Sequence, residues 1–283
     1  MTHRVTLLAG TLGAALVVLA AGSAGACTLR MVGEFKVDLS RGVPIADGEI
    51  NGVNTKIMID TGSSVTSLTG VAARDLGLTA STSVDGYVFG ASSGGETYST
   101  VLKSLKIGSL STTSLPPVRV GGDVAVDPDI GMRLGEDLLS QFDVELNLAD
   151  NVIRLFQADG CTPPQLVYWN QPYSQARLAP GTGIETEVSI DGRPMLAAID
   201  TGASTSLIDT RAAASAGGAL AIGDESIAHA RLQVSDLSHG APSMLIGVDF
   251  LHAHRVMVDR KDRLIVFSYN GGPIFSASQT PAP

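Results

Sequence analysis

The sequence predicts an all-β protein built of two homologous, β-barrel-like lobes with pseudo-twofold symmetry and a cleft between them. Residues 50–62 read INGVNTKIMIDTG, and residues 190–202 read IDGRPMLAAIDTG, so the two segments repeat at an offset of 140. A second pair, residues 134–156 and 246–268, aligns without a gap at an offset of 112. Two copies of one unit indicate a duplicated domain, because a solenoid needs a longer array of repeats.

Each copy has the pattern of a β-domain. Short runs rich in Val, Ile, Leu and Thr are separated by turn pairs such as Asn51-Gly52 and Asp191-Gly192, which are typical of hairpins. The 32 glycines and the low charged fraction of 17% also favour many turns over long helices.

The repeat and the composition together predict five segments. In chain order they are a signal peptide (1–26), an N-terminal lobe (27–161), an interlobe linker (162–183), a C-terminal lobe (184–270) and a flexible tail (271–283). The linker is assigned because it carries four prolines and several polar residues.

The first residues have the pattern of an export signal. A basic start at His3 and Arg4 precedes an apolar run over residues 5–22, and Ala24-Gly25-Ala26 matches a small-x-small cleavage site. The alternative is a membrane-anchoring helix, because the run is close to the length needed to span a bilayer. We favour cleavage, which predicts a periplasmic or secreted bacterial protein with no stable membrane insertion.

The charge excludes some partners. The formal net charge is −9 and no Lys/Arg run is present. Binding to nucleic acid or to an anionic membrane surface needs clustered cations, so neither partner is expected.

Two cysteines, Cys27 and Cys161, bracket the first lobe, which favours a disulfide in an exported chain. The alternatives are lipidation of Cys27 and free thiols. His252 and His254 alternate as strand residues do, and no third ligand stands at the spacing of a zinc site. We therefore expect neither a metal nor another cofactor.

The repeated Asp-Thr-Gly carries the chemistry. In each copy an apolar strand ends in an aspartate, and the following glycine permits a tight turn close to the carboxylate. The pseudo-twofold sets Asp60 opposite Asp200, and two carboxylates that close share one proton. One then acts as a base toward water and the other as an acid toward a substrate carbonyl. The alternative is a pair of purely structural turns.

These motifs resemble those of the aspartic proteases, the superfamily that includes pepsins and retroviral proteases. The matching segments are IDTGSS at 59–64, IDTGAS at 199–204, LGEDL at 134–138 and LIGVDFL at 245–251. The similarity extends over nearly all of residues 34–270. It implies the acid protease fold, an aspartic endopeptidase that needs no cofactor, and a protein or peptide substrate.

The resemblance also implies roles in the catalytic loops. Asp60 and Asp200 hold the attacking water, and Thr61 and Thr201 hydrogen-bond across the interface to lock the two loops together. Ser63 orients the carboxylate of Asp60.

Four glycines receive structural roles. Gly62 and Gly202 permit close approach of backbone to carboxylate, and Gly135 and Gly247 belong to the motif that braces each catalytic loop. The first lobe departs from the family at Arg133, where this motif normally has an apolar residue.

Two further features bear on activity. Ala203 replaces a hydroxyl residue in the second loop, which predicts less acidic carboxylates and activity at mildly acidic pH. Residues 84–98 predict a β-hairpin flap, in which Tyr87 or Phe89 covers the site; an ordinary surface hairpin is the alternative.

Two other hypotheses remain open. One is a catalytically silent peptide-binding protein on the same fold. The other is a dimer that exchanges lobes through the long linker. We favour a monomer that supplies both aspartates from one chain.

Overall fold

The computed structural model describes residues 26–79, 82–83, 98–121, 129–215, 217–237 and 242–275. The signal peptide apart from Ala26, both flap candidates (Tyr87 and Phe89) and residues 276–283 of the tail lie outside these ranges. No helix within them is long and apolar enough to cross a membrane.

The strands of the first half of the chain are β1 (Thr28–Lys36), β2 (Ile45–Ile50), β3 (Val53–Ile59), β4 (Ser67–Leu68), β5 (Thr82–Ser83), β6 (Tyr98–Thr100), β7 (Leu105–Ile107), β8 (Leu110–Thr112), β9 (Val118–Val120), β10 (Ile130–Leu134), β11 (Asp143–Asn147) and β12 (Val152–Asp159).

The strands of the second half are β13 (Ser174–Arg177), β14 (Glu185–Ile190), β15 (Arg193–Ile199), β16 (Leu207–Asp209), β17 (Leu220–Ile222), β18 (Glu225–Ile227), β19 (Gln233–Ser235), β20 (Met244–Ile246), β21 (His254–Asp259) and β22 (Leu264–Tyr269). The helices are short: α1 (Gly70–Asp75), α2 (Glu136–Leu139), α3 (Pro163–Leu166), α4 (Val248–Leu251) and the 3₁₀ turns Leu148–Asp150 and Thr210–Ser215.

Each lobe is organised around its own sheet. Within the described ranges, the first lobe has the strand order β5-β6-β9-β4-β10-β3-β2-β7-β8, and the second has β18-β17-β14-β15-β20-β16-β19. A third sheet, β1-β12-β11-β21-β22-β13, takes strands from both halves of the chain and joins the lobes. The predicted all-β architecture of two lobes is confirmed.

The strands that lead to the Asp-Thr-Gly turns have the same design in both lobes. β3 and β15 each follow a two-residue turn, Asn51-Gly52 or Asp191-Gly192, in which both residues have positive φ. This turn matches the twist of antiparallel strands. Both strands begin exposed and end in a run of three buried residues, and each aspartate follows directly after that run.

The segment predicted as an interlobe linker contains regular structure. It includes α3, and β13 pairs antiparallel with β22 at the edge of the sheet that joins the lobes. The tail also begins in a packed conformation, because Phe275 is buried against Phe250. A proline-rich composition indicated a connection here, but it did not indicate that the connection adds a strand.

Cys27 and Cys161 form a disulfide, the pairing that the sequence favours. The bond joins the chain just before β1 to the chain just after β12, and these two strands pair over most of their length. The sulfur of Cys27 is therefore occupied, and the alternative of lipidation at this residue is not supported.

Candidate active site

The two aspartates are presented at equivalent places in the two sheets. β3 runs parallel to β10, and β15 runs parallel to β20. The Asp60 N–H donates to the Leu134 carbonyl over 3.0 Å, and the Asp200 N–H donates to the Ile246 carbonyl over 2.9 Å. Each Asp-Thr-Gly loop is thus bonded to the strand that leads into the bracing glycine of its own lobe.

Backbone amides of the loops bind the carboxylates. Oδ1 of Asp60 accepts from the N–H groups of Gly62 and Ser63, both over 3.0 Å. Oδ1 of Asp200 accepts from the Gly202 N–H over 2.8 Å. The side chains of Asp60 and Asp200 also hydrogen-bond to each other. The structure therefore brings the two predicted carboxyl groups together.

Each loop glycine lies directly against the carboxylate of the opposite lobe. A Cβ atom built on Gly62 would lie 2.2 Å from Cγ of Asp200, and one built on Gly202 would lie 2.5 Å from Oδ1 of Asp60. Contacts this short do not occur for real Cβ atoms, so both positions require glycine while the carboxyl groups stay in place.

The threonines of the two loops form a reciprocal set of hydrogen bonds. The Thr61 hydroxyl donates to the Ile199 carbonyl, and the Thr201 hydroxyl donates to the Ile59 carbonyl, each over 2.7 Å. Each hydroxyl oxygen also accepts from the other threonine's N–H over 3.0 Å. All of these groups are buried, so the bonds join the lobes where the aspartates meet.

A bracing network that the sequence did not reveal supports the first loop. Oδ1 of Asp137 accepts from the Thr66 N–H over 2.8 Å and from its hydroxyl over 2.6 Å. The Thr66 hydroxyl oxygen accepts from the Gly135 N–H over 3.0 Å. A Cβ on Gly135 would lie 2.7 Å from the Val65 carbonyl carbon, so α2 can begin this close to the loop only at glycine.

The second lobe repeats the network with serine in place of threonine. Oδ1 of Asp249 accepts from the Ser206 N–H and hydroxyl over 2.9 and 2.7 Å, and the Ser206 oxygen accepts from the Gly247 N–H over 2.9 Å. The signal in the sequence was a hydroxyl residue six positions after Asp60 and after Asp200, together with the aligned aspartates of the second repeat.

Ser63 differs from the role that the resemblance implied. Its hydroxyl donates to the Val65 carbonyl over 3.0 Å, and only its backbone N–H bonds Asp60. The second oxygen of Asp60 instead faces Arg133, whose Nε lies 3.2 Å from Oδ2. A cation therefore contacts this carboxylate in place of a hydroxyl group.

Burial sets the protonation of the pair. It raises the pKa of Asp200 to about 7, and the neighbouring Asp60 carboxylate contributes in the same direction. Burial also raises the pKa of Asp60, although the Arg133 guanidinium and the loop N–H groups oppose that rise. Two facing carboxyl groups with these properties keep one proton between them into the neutral range.

Comparison with known proteins identifies the arrangement. The family model described as gag-polyprotein putative aspartyl protease matches residues 46–141. The crystal structure of the aspartic proteinase from Irpex lacteus superposes with a TM-score of 0.54 at 14% identity, covering 89% of this chain and 100% of that one. Residues 46–141 therefore resemble this aspartyl protease family, and the chain as a whole has the fold of an aspartic proteinase. The acid protease fold predicted from the sequence is confirmed.

A second solved structure matches a shorter part of the chain. A retropepsin-like aspartic protease from Rickettsia conorii is 24% identical, with a TM-score of 0.34, over 47% of this chain and 96% of that one. No curated protein sequence matches this chain significantly.

Of the two histidine candidates, His254 lies in the core. His254 is fully buried, stacks on Phe250 and lies 3.1 Å from a carboxylate oxygen of Glu225. In the part of the chain that the structure describes, no group of three or more His, Cys, Asp or Glu side chains is placed to hold a metal ion.

Proposed function

We propose that the protein is an aspartic endopeptidase that hydrolyses peptide bonds with a water molecule activated between Asp60 and Asp200. The observation that carries the proposal is the meeting of two aspartate carboxyl groups, one from each lobe, in hydrogen-bond contact. Glycine backbone packs against both, and amide N–H groups fix one oxygen of each. This geometry suits general acid–base catalysis, because each group can reach a water or a carbonyl held between them.

The first chemical step moves two protons. The ionised carboxylate takes a proton from the water while the water oxygen bonds to the peptide carbonyl carbon. The protonated carboxyl gives its proton to the carbonyl oxygen as the C=O π bond breaks. The product is a neutral tetrahedral diol, and the dyad still carries one proton in total.

The second step breaks the C–N bond. The carboxyl that received the water proton passes it to the departing amide nitrogen. The other carboxylate takes a hydroxyl proton back as the carbonyl of the new carboxylic acid forms. The dyad returns to its starting protonation, so no cofactor is needed to balance the reaction.

The substrate is a protein or peptide segment. We infer that it binds in an extended conformation in the cleft between the lobes, with main-chain hydrogen bonds like those of an added strand. Both aspartates belong to one chain, which supports a monomer as the active form. The export signal predicted over residues 1–26 and the disulfide support action in the periplasm or outside the cell.

The test is digestion of a mixed peptide library between about pH 3 and 8, a range that includes the reference dyads. The assay uses residues 27–283 with the disulfide intact. Wild type is compared with Asp60→Asn and Asp200→Asn, and with Asp47→Asn as a control in an exposed ion pair of the same lobe. Each assay is repeated with pepstatin.

We expect wild type and Asp47→Asn to cleave peptides equally, and both dyad variants to fall to background, because each carboxyl has its own proton to transfer. A folded wild type that cleaves no peptide at any pH contradicts the proposal and leaves a silent peptide-binding protein. Full activity in either dyad variant contradicts it as well.

The pH dependence gives a second prediction. Activity requires one proton on the dyad, and the pKa of Asp200 is raised to about 7. We expect kcat/KM to be sustained through mildly acidic pH and to decline above about pH 7, approaching tenfold for each further unit. A measured profile with an upper apparent pKa near 4.7, the value of the pepsin dyad, would contradict this prediction.

A further inference from the structure

Arg133 introduces a positive charge on one side of the dyad. It lies on β10, in register with Met58 of β3, the strand that delivers Asp60. Its Nε is 3.2 Å from Oδ2 of Asp60, and the two side chains are only 12% and 9% exposed. A contact between two groups so shielded from water is far stronger than a surface ion pair.

The second lobe has an apolar residue in the equivalent place. The repeat aligns Arg133 with Leu245 of β20, which is in register with Ala198 of β15. Asp200 is bonded by the backbone N–H of Gly202. Asp60 thus has a cationic neighbour where Asp200 has an apolar one, which makes the pair electrically unsymmetric.

Among the residues that the structure describes, other charged groups also bear on this site. Asp200 faces it from the second loop, and Glu136 at the start of α2 acts on it through space. Arg260 of the lobe-joining sheet lies 2.5 Å from Oε2 of Glu136 and balances that charge. Asp137 is directed away, because it binds Thr66.

We propose that Arg133 is a positioning residue that holds Asp60 as the carboxylate and so places the shared proton on Asp200. This assignment rests on the proposed peptidase function. Asp60 then takes the proton from water, and Asp200 protonates the carbonyl oxygen. The guanidinium lies against Oδ2 of Asp60, with Nε at 3.2 Å, whereas the Ser63 hydroxyl bonds elsewhere.

The charge has a defined consequence for pH. An adjacent cation favours every state in which the dyad carries more negative charge, so its removal raises both apparent pKa values of the pair. We expect both limbs of the kcat/KM profile of Arg133→Leu to move to higher pH by about one unit or more. Arg133→Lys keeps the charge and should restore most of the shift.

The experiment compares wild type, Arg133→Leu, Arg133→Lys and Arg193→Leu. Arg193 is an exposed arginine at the outer end of β15, so its removal changes the net charge without touching the dyad. The first readout is the kcat/KM profile on a peptide that wild type cleaves. The second is ¹³C NMR titration of carboxyl-labelled aspartates, with the dyad signals assigned from Asp60→Asn and Asp200→Asn.

The two readouts separate the two proposals. A shift of the dyad titration in Arg133→Leu, restored by Arg133→Lys and missing in Arg193→Leu, supports the role of Arg133 even if wild type cleaves no peptide. If activity changes while both titrations stay within about 0.3 units of wild type, Arg133 acts only through packing and the proposal is overturned. The proposal is also overturned if the NMR titration places the shared proton on Asp60 both in wild type and in Arg133→Leu.

Discussion

Replacing Gly62 by alanine should lower kcat/KM about a hundredfold or more. The new Cβ would lie 2.2 Å from Cγ of Asp200 and 2.3 and 2.5 Å from its two oxygens, so the loop or the carboxyl group must move. A displacement of this size separates the two carboxyl groups that are proposed to share a proton. The neighbouring Asp60 is held by the Gly62 N–H and would shift with it.

The effect should appear equally from the other lobe. In Gly202→Ala the new Cβ would lie 2.5 Å from Oδ1 of Asp60, and we expect a loss of similar size. Gly217→Ala is the matched control, because nothing lies within 4 Å of a Cβ at that position. The measurements are kcat/KM and the melting temperature of each variant. A Gly62→Ala protein that keeps a third of wild-type activity would show that the dyad does not depend on this contact.

The duplicated motif explains why the aspartates and threonines of the candidate active site could be predicted from the sequence. An offset of 140 relates Asp60 to Asp200 and Thr61 to Thr201, and the structure sets these pairs face to face. Similar local sequence forms the same strand and turn twice, and a twofold arrangement of the two lobes places the turns opposite each other. The repeat therefore made it possible to predict the contact between the two Asp-Thr-Gly loops, although they are far apart in the sequence.

The sheet that joins the lobes could not be predicted in the same way. β11 pairs with β21, more than 100 residues later, and β13 adds to it from a segment rich in proline. An alternating apolar pattern predicts that a strand is half-buried, but it does not identify the partner strand. The pairing depends on how two finished lobes pack, which no single segment specifies.

Arg133 and Ser63 show which side-chain contacts could not be predicted from the sequence. The sequence marked Arg133 as a departure from the family pattern, and the resemblance implied that Ser63 orients the carboxylate of Asp60. In the structure the Ser63 hydroxyl bonds the Val65 carbonyl, and Arg133 faces the carboxylate of Asp60. Arg133 reaches this carboxylate because β10 runs beside β3. The direction of a long side chain follows from the register of neighbouring strands, which the motif alone does not contain.

The lobe-joining sheet contains the buried charge with the largest expected effect on stability. Glu145 of β11 is fully buried. Its Oε1 accepts from Nη1 of Arg154 over 2.8 Å and from Nε of Arg255 over 2.9 Å, and its Oε2 accepts from the Tyr168 hydroxyl. Arg154 comes from the first half of the chain and Arg255 from the second, while Tyr168 belongs to the segment between them. The guanidinium of Arg255 also lies 4.4 Å from the ring centre of Trp169.

We expect Glu145→Gln to lower the free energy of unfolding by about 3 kcal/mol. The amide cannot balance two guanidinium groups, and its NH₂ would face donors instead of acceptors. The control is Glu49→Gln, because Glu49 forms an ion pair with Lys106 in which both side chains are more than a third exposed. That change should cost less than about 1 kcal/mol, since water and salt screen the pair. Urea denaturation of the two variants at pH 7 measures both values. Equal, small losses would mean that Arg154 and Arg255 are satisfied by water when Glu145 is neutral, and that strand pairing and apolar packing alone hold the lobes together.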